Sequence, residues 1–203
     1  MSPFTVSAIL WFGWVLSWGL AAAWSRRTKA RAPFGLRALD LIPTVLGAAL
    51  MAYSAHHRET ADQFGSPVEL LWRLPRAAEW ALTGAIAVGL GFTWWARLTL
   101  GDLWSSTVTR KEGHVIVERG PYGLVRHPIY TGLIVAAFAL GAQIALLASI
   151  AGAALMALGF ATKARTEEQF LSIELGPAYA EYRKSTPMLI PFWPTSPRPQ
   201  EPR

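Results

Sequence analysis

The feature that most restricts this chain is the lack of charge in its long apolar stretches. Residues 3–24 and 128–162 contain no Asp, Glu, Lys or Arg, and residues 39–55 and 77–95 contain one acidic residue each, Asp40 and Glu79. About 20 apolar residues in a helix cross the roughly 30 Å hydrocarbon layer of a membrane. The pattern predicts an all-α membrane protein. It excludes a disordered chain, because 52% of the residues are hydrophobic and only 16% are charged.

The last apolar stretch is too long for one crossing. A single helix over residues 128–162 would be roughly 50 Å long, so we predict a helical hairpin that turns near residues 141–147. Its second arm continues past Lys163 into water as a long helix. The sequence therefore predicts five transmembrane helices, the fourth and fifth forming the hairpin, in one membrane domain over residues 1–190. Residues 191–203 are rich in Pro and are predicted to form a frayed tail.

The Lys and Arg residues are divided unevenly among the predicted loops. Sixteen lie in the first loop, the third loop and the C-terminal tail, against three in the second loop. Because cytoplasmic loops carry an excess of Lys and Arg, we predict that the N-terminus is outside and the C-terminus is cytoplasmic. This topology accounts for the net charge of +6, so no nucleic-acid partner is expected.

No metal site is expected from the sequence. The chain has no cysteine, which excludes iron–sulfur clusters and thiolate metal sites. His56 and His57 are adjacent, so they point in different directions on a helix, and no third ligand lies at a suitable spacing. We expect this pair to lie at the membrane interface without a metal ion.

A polar segment precedes the hairpin. The run GPYGLVRHPIYTG covers residues 120–132 and places Arg126 and His127 just before Pro128, which suits the first turn of a helix. Helix N-termini present unpaired N–H groups and a partial positive charge, so this segment can bind a carboxylate or a phosphate. The alternative is that both side chains extend toward lipid headgroups.

A second polar segment follows the hairpin. The run TEEQFLSIELGPAYAEYRKSTPMLIP covers residues 166–191 and begins with Glu167 and Glu168. Paired carboxylates can accept hydrogen bonds from an ammonium group, or they can form a solvated helix face. Tyr179 and Tyr182 are three residues apart and can share a helix face, which either packs on the domain or covers a flat cofactor ring.

Together the two segments resemble the isoprenylcysteine carboxyl methyltransferase family, and related patterns occur in phospholipid N-methyltransferases and sterol reductases. The resemblance covers residues 100–191. It implies an integral-membrane methyltransferase that uses S-adenosylmethionine, with a small cytosolic cofactor pocket formed by residues 100–190 and a lipophilic acceptor that enters from the bilayer. The lack of a G-x-G-x-x-G run agrees with a cofactor site that is not a Rossmann fold.

By motif position, the resemblance also implies roles for single residues. Arg126, His127 and Glu167 would be catalytic, Arg126 by orienting the acceptor. A carboxylate acceptor would need no base, whereas an amine or a thiol would need His127 or a glutamate as the base. The cofactor would be bound by His114, Tyr122, His127, Tyr130, Glu167, Glu168, Tyr179 and Tyr182, with Glu167 or Glu168 on the methionyl ammonium.

Other functions stay open at this stage. The acceptor could be a carboxylate, a phospholipid amine or a small amine or thiol. An NADPH-dependent membrane reductase of the sterol type and a non-enzymatic lipid-binding protein are the alternatives from other classes. The polar motif residues argue against the second, because such residues are costly near a bilayer unless they are used. The oligomeric state is not determined by the sequence.

Overall fold

The computed structural model describes residues 1–22, 34–64, 69–101 and 116–193. No strand occurs in these ranges, which confirms the all-α prediction for the described part of the chain. A short 3-10 turn, Gly120–Gly123, precedes the hairpin. The described residues form five α helices: α1 (Pro3–Ala22), α2 (Phe34–Phe64), α3 (Arg76–Leu100), α4 (Pro128–Ile144) and α5 (Leu147–Ser185).

Two of the described helices are long and apolar enough to cross a membrane, judged by length and composition. They are α1 and α5, and α4 is apolar but shorter. Large apolar side chains point outward along α1 and α2, among them Ile9, Phe12, Leu16, Ile42 and Leu46. Apolar surface of this extent is unusual on a soluble monomer, and it fits contact with lipid.

Helices α4 and α5 form the predicted hairpin. Helix α4 ends at Ile144, and Ala145 adopts a left-handed conformation with a φ of 60°. The Ala145 N–H donates to the Gly141 carbonyl at 3.0 Å, and the Ser149 hydroxyl donates to the same carbonyl at 2.9 Å. The turn lies within residues 141–147, which confirms its predicted position.

Glycines allow neighbouring helices to approach closely at two interfaces. Where α2 packs on α5, a Cβ added to Gly47 would lie 2.4 Å from the carbonyl oxygen of Gly152. Where α3 packs on α4, a Cβ added to Gly89 would lie 2.7 Å from the carbonyl oxygen of Gly132. Small residues serve this purpose in membrane helices because they let backbones come together. The buried apolar core between these helices includes Met51, Ile86, Leu90, Leu133, Met156 and Phe160.

Helix α5 bends at Gly176, whose φ of 54° and ψ of −129° are not helical. Glycine adopts this conformation without the steric penalty of a Cβ, and Pro177 has no N–H to continue the helical hydrogen bonds. Beyond the bend, Tyr179 and Tyr182 are buried. The Tyr179 hydroxyl reaches back to Glu168, eleven residues earlier on the same helix. The bend therefore folds the end of α5 onto the polar segment at its middle.

Candidate active site

The two polar segments meet at one end of the hairpin, where Arg126 and Glu168 form a bidentate ion pair. Arg126 lies just before α4, and Glu168 lies on α5 beyond the uncharged stretch that ends at Thr162. The Nε of Arg126 is 2.7 Å from Oε1 of Glu168, and its Nη2 is 2.8 Å from Oε2. Both side chains are only 8% exposed. Two parallel charge-assisted hydrogen bonds make such a pair strong and fix its orientation.

The guanidinium of Arg126 also binds the backbone that follows α5. Its Nη1 donates to the carbonyl of Arg183 at 3.3 Å and to the carbonyl of Thr186. A guanidinium has five N–H donors, so within the described residues one hydrogen on Nη2 has no partner. Arg126 is thus held in place on two sides, and one of its five N–H donors has no partner among the described residues.

The His127 ring lies between the two carboxylates of the site. Its Nε2 is 3.0 Å from Oε1 of Glu168, and its Nδ1 is 3.4 Å from Oε2 of Glu167. Burial lowers the pKa of the His127 imidazole, but the hydrogen bonds and charges of the two glutamates outweigh burial and raise this pKa above its usual value. The two glutamates therefore favour the charged form of His127.

Glu168 is the centre of the network. Besides Arg126 and His127, the Tyr179 hydroxyl donates to its Oε1 at 2.8 Å, and Nε of Arg183 is 3.1 Å from its Oε2. A carboxylate has about four lone-pair positions, so its acceptor capacity is filled. Burial alone would raise the pKa of Glu168, but the hydrogen bonds from His127, Arg126 and Tyr179 lower it to about 2. Glu168 is an ionised structural centre.

Glu167 has a more open environment than Glu168. The Tyr130 hydroxyl donates to its Oε1 at 2.6 Å, and its side chain is 19% exposed. The rings of His127, Tyr130 and Phe160 stack in sequence, each at 5.6 Å from the next. The ammonium of Lys163 lies 5.6 Å from the centre of the Tyr130 ring. The Glu167 carboxylate therefore lies near a cation and aromatic rings, and its oxygens can accept further hydrogen bonds.

Tyr122 and Tyr182 lie beside this network. Tyr122 is buried in the 3-10 turn, where Gly120 has a φ of 61°. The Tyr182 hydroxyl donates to the Tyr122 carbonyl at 2.6 Å. This bond ties the end of α5 to the segment before α4.

The chain after α5 returns to the start of α4 and makes a backbone strap over residues 186–189. The N–H of Arg126 donates to the carbonyl of Pro187 at 2.9 Å, and the N–H of His127 donates to that of Met188 at 3.1 Å. The hydroxyl of Thr131 donates to the carbonyl of Leu189 at 2.7 Å. The strap fixes Arg126 and His127 from the backbone side.

The structure thus brings most of the predicted site residues together. Arg126, His127, Tyr130, Glu167, Glu168 and Tyr179 share one hydrogen-bonded network, with Tyr122 and Tyr182 adjacent to it. His114 lies outside the described residues. Arg183, Lys163 and the strap were not predicted from the sequence as parts of the site. Helical spacing could have indicated Arg183, because it lies four residues after Tyr179 and shares its face.

A second polar cluster lies at the opposite end of the helices. The Ser7 and Thr83 hydroxyls are 3.0 Å apart, and Nε2 of Gln143 donates to Thr83 at 3.1 Å. Arg58 lies 3.7 Å from Glu79 there. A groove of about 410 Å³ near this end is lined by apolar residues that include Trp72, Leu74 and Leu82, so it is remote from the candidate site.

Among the described residues, no three His, Asp or Glu side chains gather as metal ligands.

Comparison with known proteins supports the resemblance drawn from the two polar segments. Residues 82–173 match the model of the Isoprenylcysteine carboxyl methyltransferase (ICMT) family. The match begins in α3 and ends in α5, so it contains the hairpin, Arg126 and His127 before it, and Glu167 and Glu168 after it. The predicted resemblance to this family is therefore confirmed for the part of the chain that carries the site.

Three curated relatives illustrate this likeness. The cobalt-zinc-cadmium resistance protein CzcN of Cupriavidus metallidurans is 36% identical over 98 residues, which is 46% of this chain and 44% of that protein. Protein-S-isoprenylcysteine O-methyltransferase B of Arabidopsis thaliana is 33% identical over 88 residues, 42% of this chain and 44% of that protein. The protein-S-isoprenylcysteine O-methyltransferase of Schizosaccharomyces pombe is 37% identical over 89 residues, 42% of this chain and 36% of that protein. The chain spans less than half the length of each.

Proposed function

Because residues 82–173 match the isoprenylcysteine carboxyl methyltransferase family, we propose that this chain is an integral-membrane methyltransferase that transfers a methyl group from S-adenosylmethionine to the carboxylate of a lipophilic acceptor. The observation that carries the proposal is the buried network in which Arg126 and His127 meet Glu167 and Glu168. The names of the Arabidopsis and Schizosaccharomyces relatives support a prenylated cysteine carboxylate as the acceptor.

The described residues fit the ammonium group of S-adenosylmethionine. Within the described ranges, Glu167 accepts hydrogen bonds only from Tyr130 and His127, so its oxygens have room for a further charged donor. Glu168 has no such room. We therefore assign the methionyl ammonium to Glu167 and a supporting role to Glu168. Tyr122, Tyr179 and Tyr182 stay proposed as residues on the flat part of the cofactor.

The proposed reaction depends on the alignment of the acceptor with the methyl group more than on proton transfer. When bound, S-adenosylmethionine supplies a methyl group on a sulfonium, and loss of that methyl leaves a neutral thioether. A carboxylate is ionised at neutral pH, so an acceptor oxygen forms the C–O bond while the C–S bond breaks, and no proton moves. The residues of the chain have to orient the acceptor and exclude water. Arg126 has one Nη2 hydrogen for the acceptor carboxylate, and its other donors hold it in position.

We also propose that all five helices cross the membrane, with the N-terminus outside and the site at the cytoplasmic surface. The Lys and Arg distribution supports this orientation. The outward apolar side chains of the two less apolar helices support the spans, for example Val45 on α2 and Val88 on α3. In this arrangement a prenyl chain reaches the site from the inner leaflet, and its head group meets Arg126 at the membrane surface.

A methyl-transfer assay tests the proposed function. The purified full chain in lipid nanodiscs is incubated with methyl-labelled S-adenosylmethionine and N-acetyl-S-farnesylcysteine. We expect a base-labile methyl ester of the acceptor. We also expect S-adenosylhomocysteine, and not NADPH, to raise the melting temperature, because a ligand that binds only the folded state stabilises it. Stabilisation by NADPH alone would favour a reductase, and binding of neither would favour a non-enzymatic protein.

Two variants test the site within that assay. Arg126→Ala and Glu167→Ala should each lower turnover by at least about 100-fold, since each removes a charged group that holds a reactant. Arg165→Ala is the matched control, because Arg165 is an exposed residue of α5 beside the site. Full activity of either site variant would remove that residue from the scheme.

A further inference from the structure

The contacts of the His127 ring indicate which groups of the site carry a proton. Both ring nitrogens face carboxylate oxygens, Nε2 at 3.0 Å from Glu168 and Nδ1 at 3.4 Å from Glu167. An ionised carboxylate only accepts hydrogen bonds, and a neutral imidazole has one N–H and one lone pair. A neutral His127 would therefore direct a lone pair at a carboxylate oxygen. Protonation of both nitrogens removes this conflict.

Protonation of a glutamate instead of His127 does not fit the contacts. Glu168 accepts hydrogen bonds from Arg126 and Tyr179 as well, which requires its ionised form. A proton shared between Glu167 and His127 favours the imidazole, since an unperturbed histidine is about two pKa units more basic than a glutamate. The site thus has an imidazolium between two carboxylates.

We propose that His127 is a positioning residue with a fixed positive charge that holds Glu167 and Glu168 apart at set distances, and that the described residues of the site include no general base. The proposal rests on the proposed function and gives a structural reason for its acceptor class, because the acceptor must then arrive as an anion. Amines and thiols, which lose a proton on methylation, would be excluded as acceptors.

The other groups near the ring do not supply a base. Tyr130 uses its proton to bind Glu167, and Tyr179 uses its proton to bind Glu168. Glu167 accepts hydrogen bonds from two donors, which makes it a weak base toward an ammonium or a thiol. The titratable and charged groups packed around the ring come from the segment before α4, from α4 and from both parts of α5. They are Arg126, Tyr130, Lys163, Glu167, Glu168, Tyr179 and Arg183.

Nitrogen NMR of the full chain tests the charge of His127 directly. The chain has four histidines, so selective ¹⁵N labelling gives four pairs of ring-nitrogen signals. The His127→Gln variant identifies the His127 signal, and His56→Gln, which changes an exposed residue of α2, is the control. If His127→Gln does not fold, the variants His56→Gln, His57→Gln and His114→Gln identify it by elimination. We expect both nitrogens of His127 to stay protonated from about pH 6 to about pH 8. A neutral-tautomer signal at pH 7 would overturn the proposal.

A matched acceptor series tests the absence of a base. Farnesyl compounds that end in a carboxylate, an amine or a thiol are offered with labelled S-adenosylmethionine. We expect the carboxylate to be methylated at least about 100-fold faster than the other two, with a rate nearly constant between about pH 6 and pH 8. Comparable methylation of the amine or the thiol would overturn the absence of a base and still support a methyltransferase. Methylation of none would contradict the proposed function, and the NMR result would still decide the charge of His127.

Discussion

At the scale of single residues, Glu168 holds the site together because groups from two separate parts of the chain bind one carboxylate. Arg126 and His127 come from the segment before α4, and Tyr179 and Arg183 come from the part of α5 beyond the bend. Loss of this charge would leave Arg126 and His127 buried without their main counter-ion. Breaking a buried pair from one side costs about 3–5 kcal/mol for this reason.

We therefore expect Glu168→Gln to lower the free energy of unfolding by about 3–5 kcal/mol. Thermal unfolding in detergent, followed by circular dichroism, measures the change. Glu181→Gln is the control, because Glu181 is exposed and pairs only with Lys184 at 3.0 Å within the described residues. An unchanged melting temperature of Glu168→Gln would show that the network does not support the fold.

The melting temperature should also depend on pH. The pKa of Glu168 is lowered from 4.5 to about 2, so its contribution to stability is complete above pH 4.5 and is lost as the pH falls toward 2. The pKa of His127 is raised from 6.5, so its contribution is complete below pH 6.5 and is lost as the pH rises through the folded value. We expect the highest melting temperature between these limits. The Glu168→Gln variant should show a weaker acid limb, and an identical profile for both proteins would contradict this assignment.

The sequence predicted which residues belong to the site better than it predicted which of these residues contact each other. The resemblance to the methyltransferase family placed Arg126 and Glu168 near one cofactor, and the two residues flank the uncharged hairpin in the sequence. Their direct pairing could not be predicted, since it depends on the rotation of α4 against α5. The contacts of Tyr179 and Arg183 with Glu168 depend on the direction of the bend at Gly176, which no sequence pattern gives.

At the scale of the helices, two glycines of α3 that are two residues apart should respond oppositely to alanine. Gly89 packs against the backbone of α4, so Gly89→Ala should destabilise the fold by about 1–3 kcal/mol through overpacking. Gly91 has nothing within 4 Å of an added Cβ, so Gly91→Ala should stabilise the helix by up to about 1 kcal/mol. Melting temperatures of the two variants check this. Equal shifts would show that α3 does not pack on α4 at Gly89.

The hairpin was predictable from the sequence because its length alone requires a turn near the middle. The ends of α2 were not, since this helix begins at Phe34 and ends at Phe64, beyond the apolar residues 39–55 on both sides. Charged residues such as Arg58 continue the helix there because they find partners, in this case Glu79 on α3. Hydropathy identifies the apolar part of a helix but does not indicate how far the helix continues into polar residues at its ends.

At the scale of the whole molecule, the proposed topology places the C-terminal end of α2 and the C-terminal end of α5 on opposite sides of the membrane. The chain has no cysteine, so a single introduced cysteine is labelled without background. We expect Glu59→Cys to react with a membrane-impermeant maleimide added to intact cells, and Glu181→Cys to react only after permeabilisation. The unmodified chain is the control for background labelling. Labelling of both positions from the same side would contradict the proposed order of spans.

The filled acceptor positions of Glu168 have a consequence for how this protein can change during evolution. A substitution at position 168 leaves the buried Arg126 and His127 with unmatched charges and the Tyr179 hydroxyl without its acceptor. Homologous chains should therefore keep these positions together or replace them together, and those that bind the same cofactor should also keep position 167, because Glu167 is the residue proposed to bind its ammonium. Lineages that exchange one member of the set would have to pass through a poorly folding intermediate.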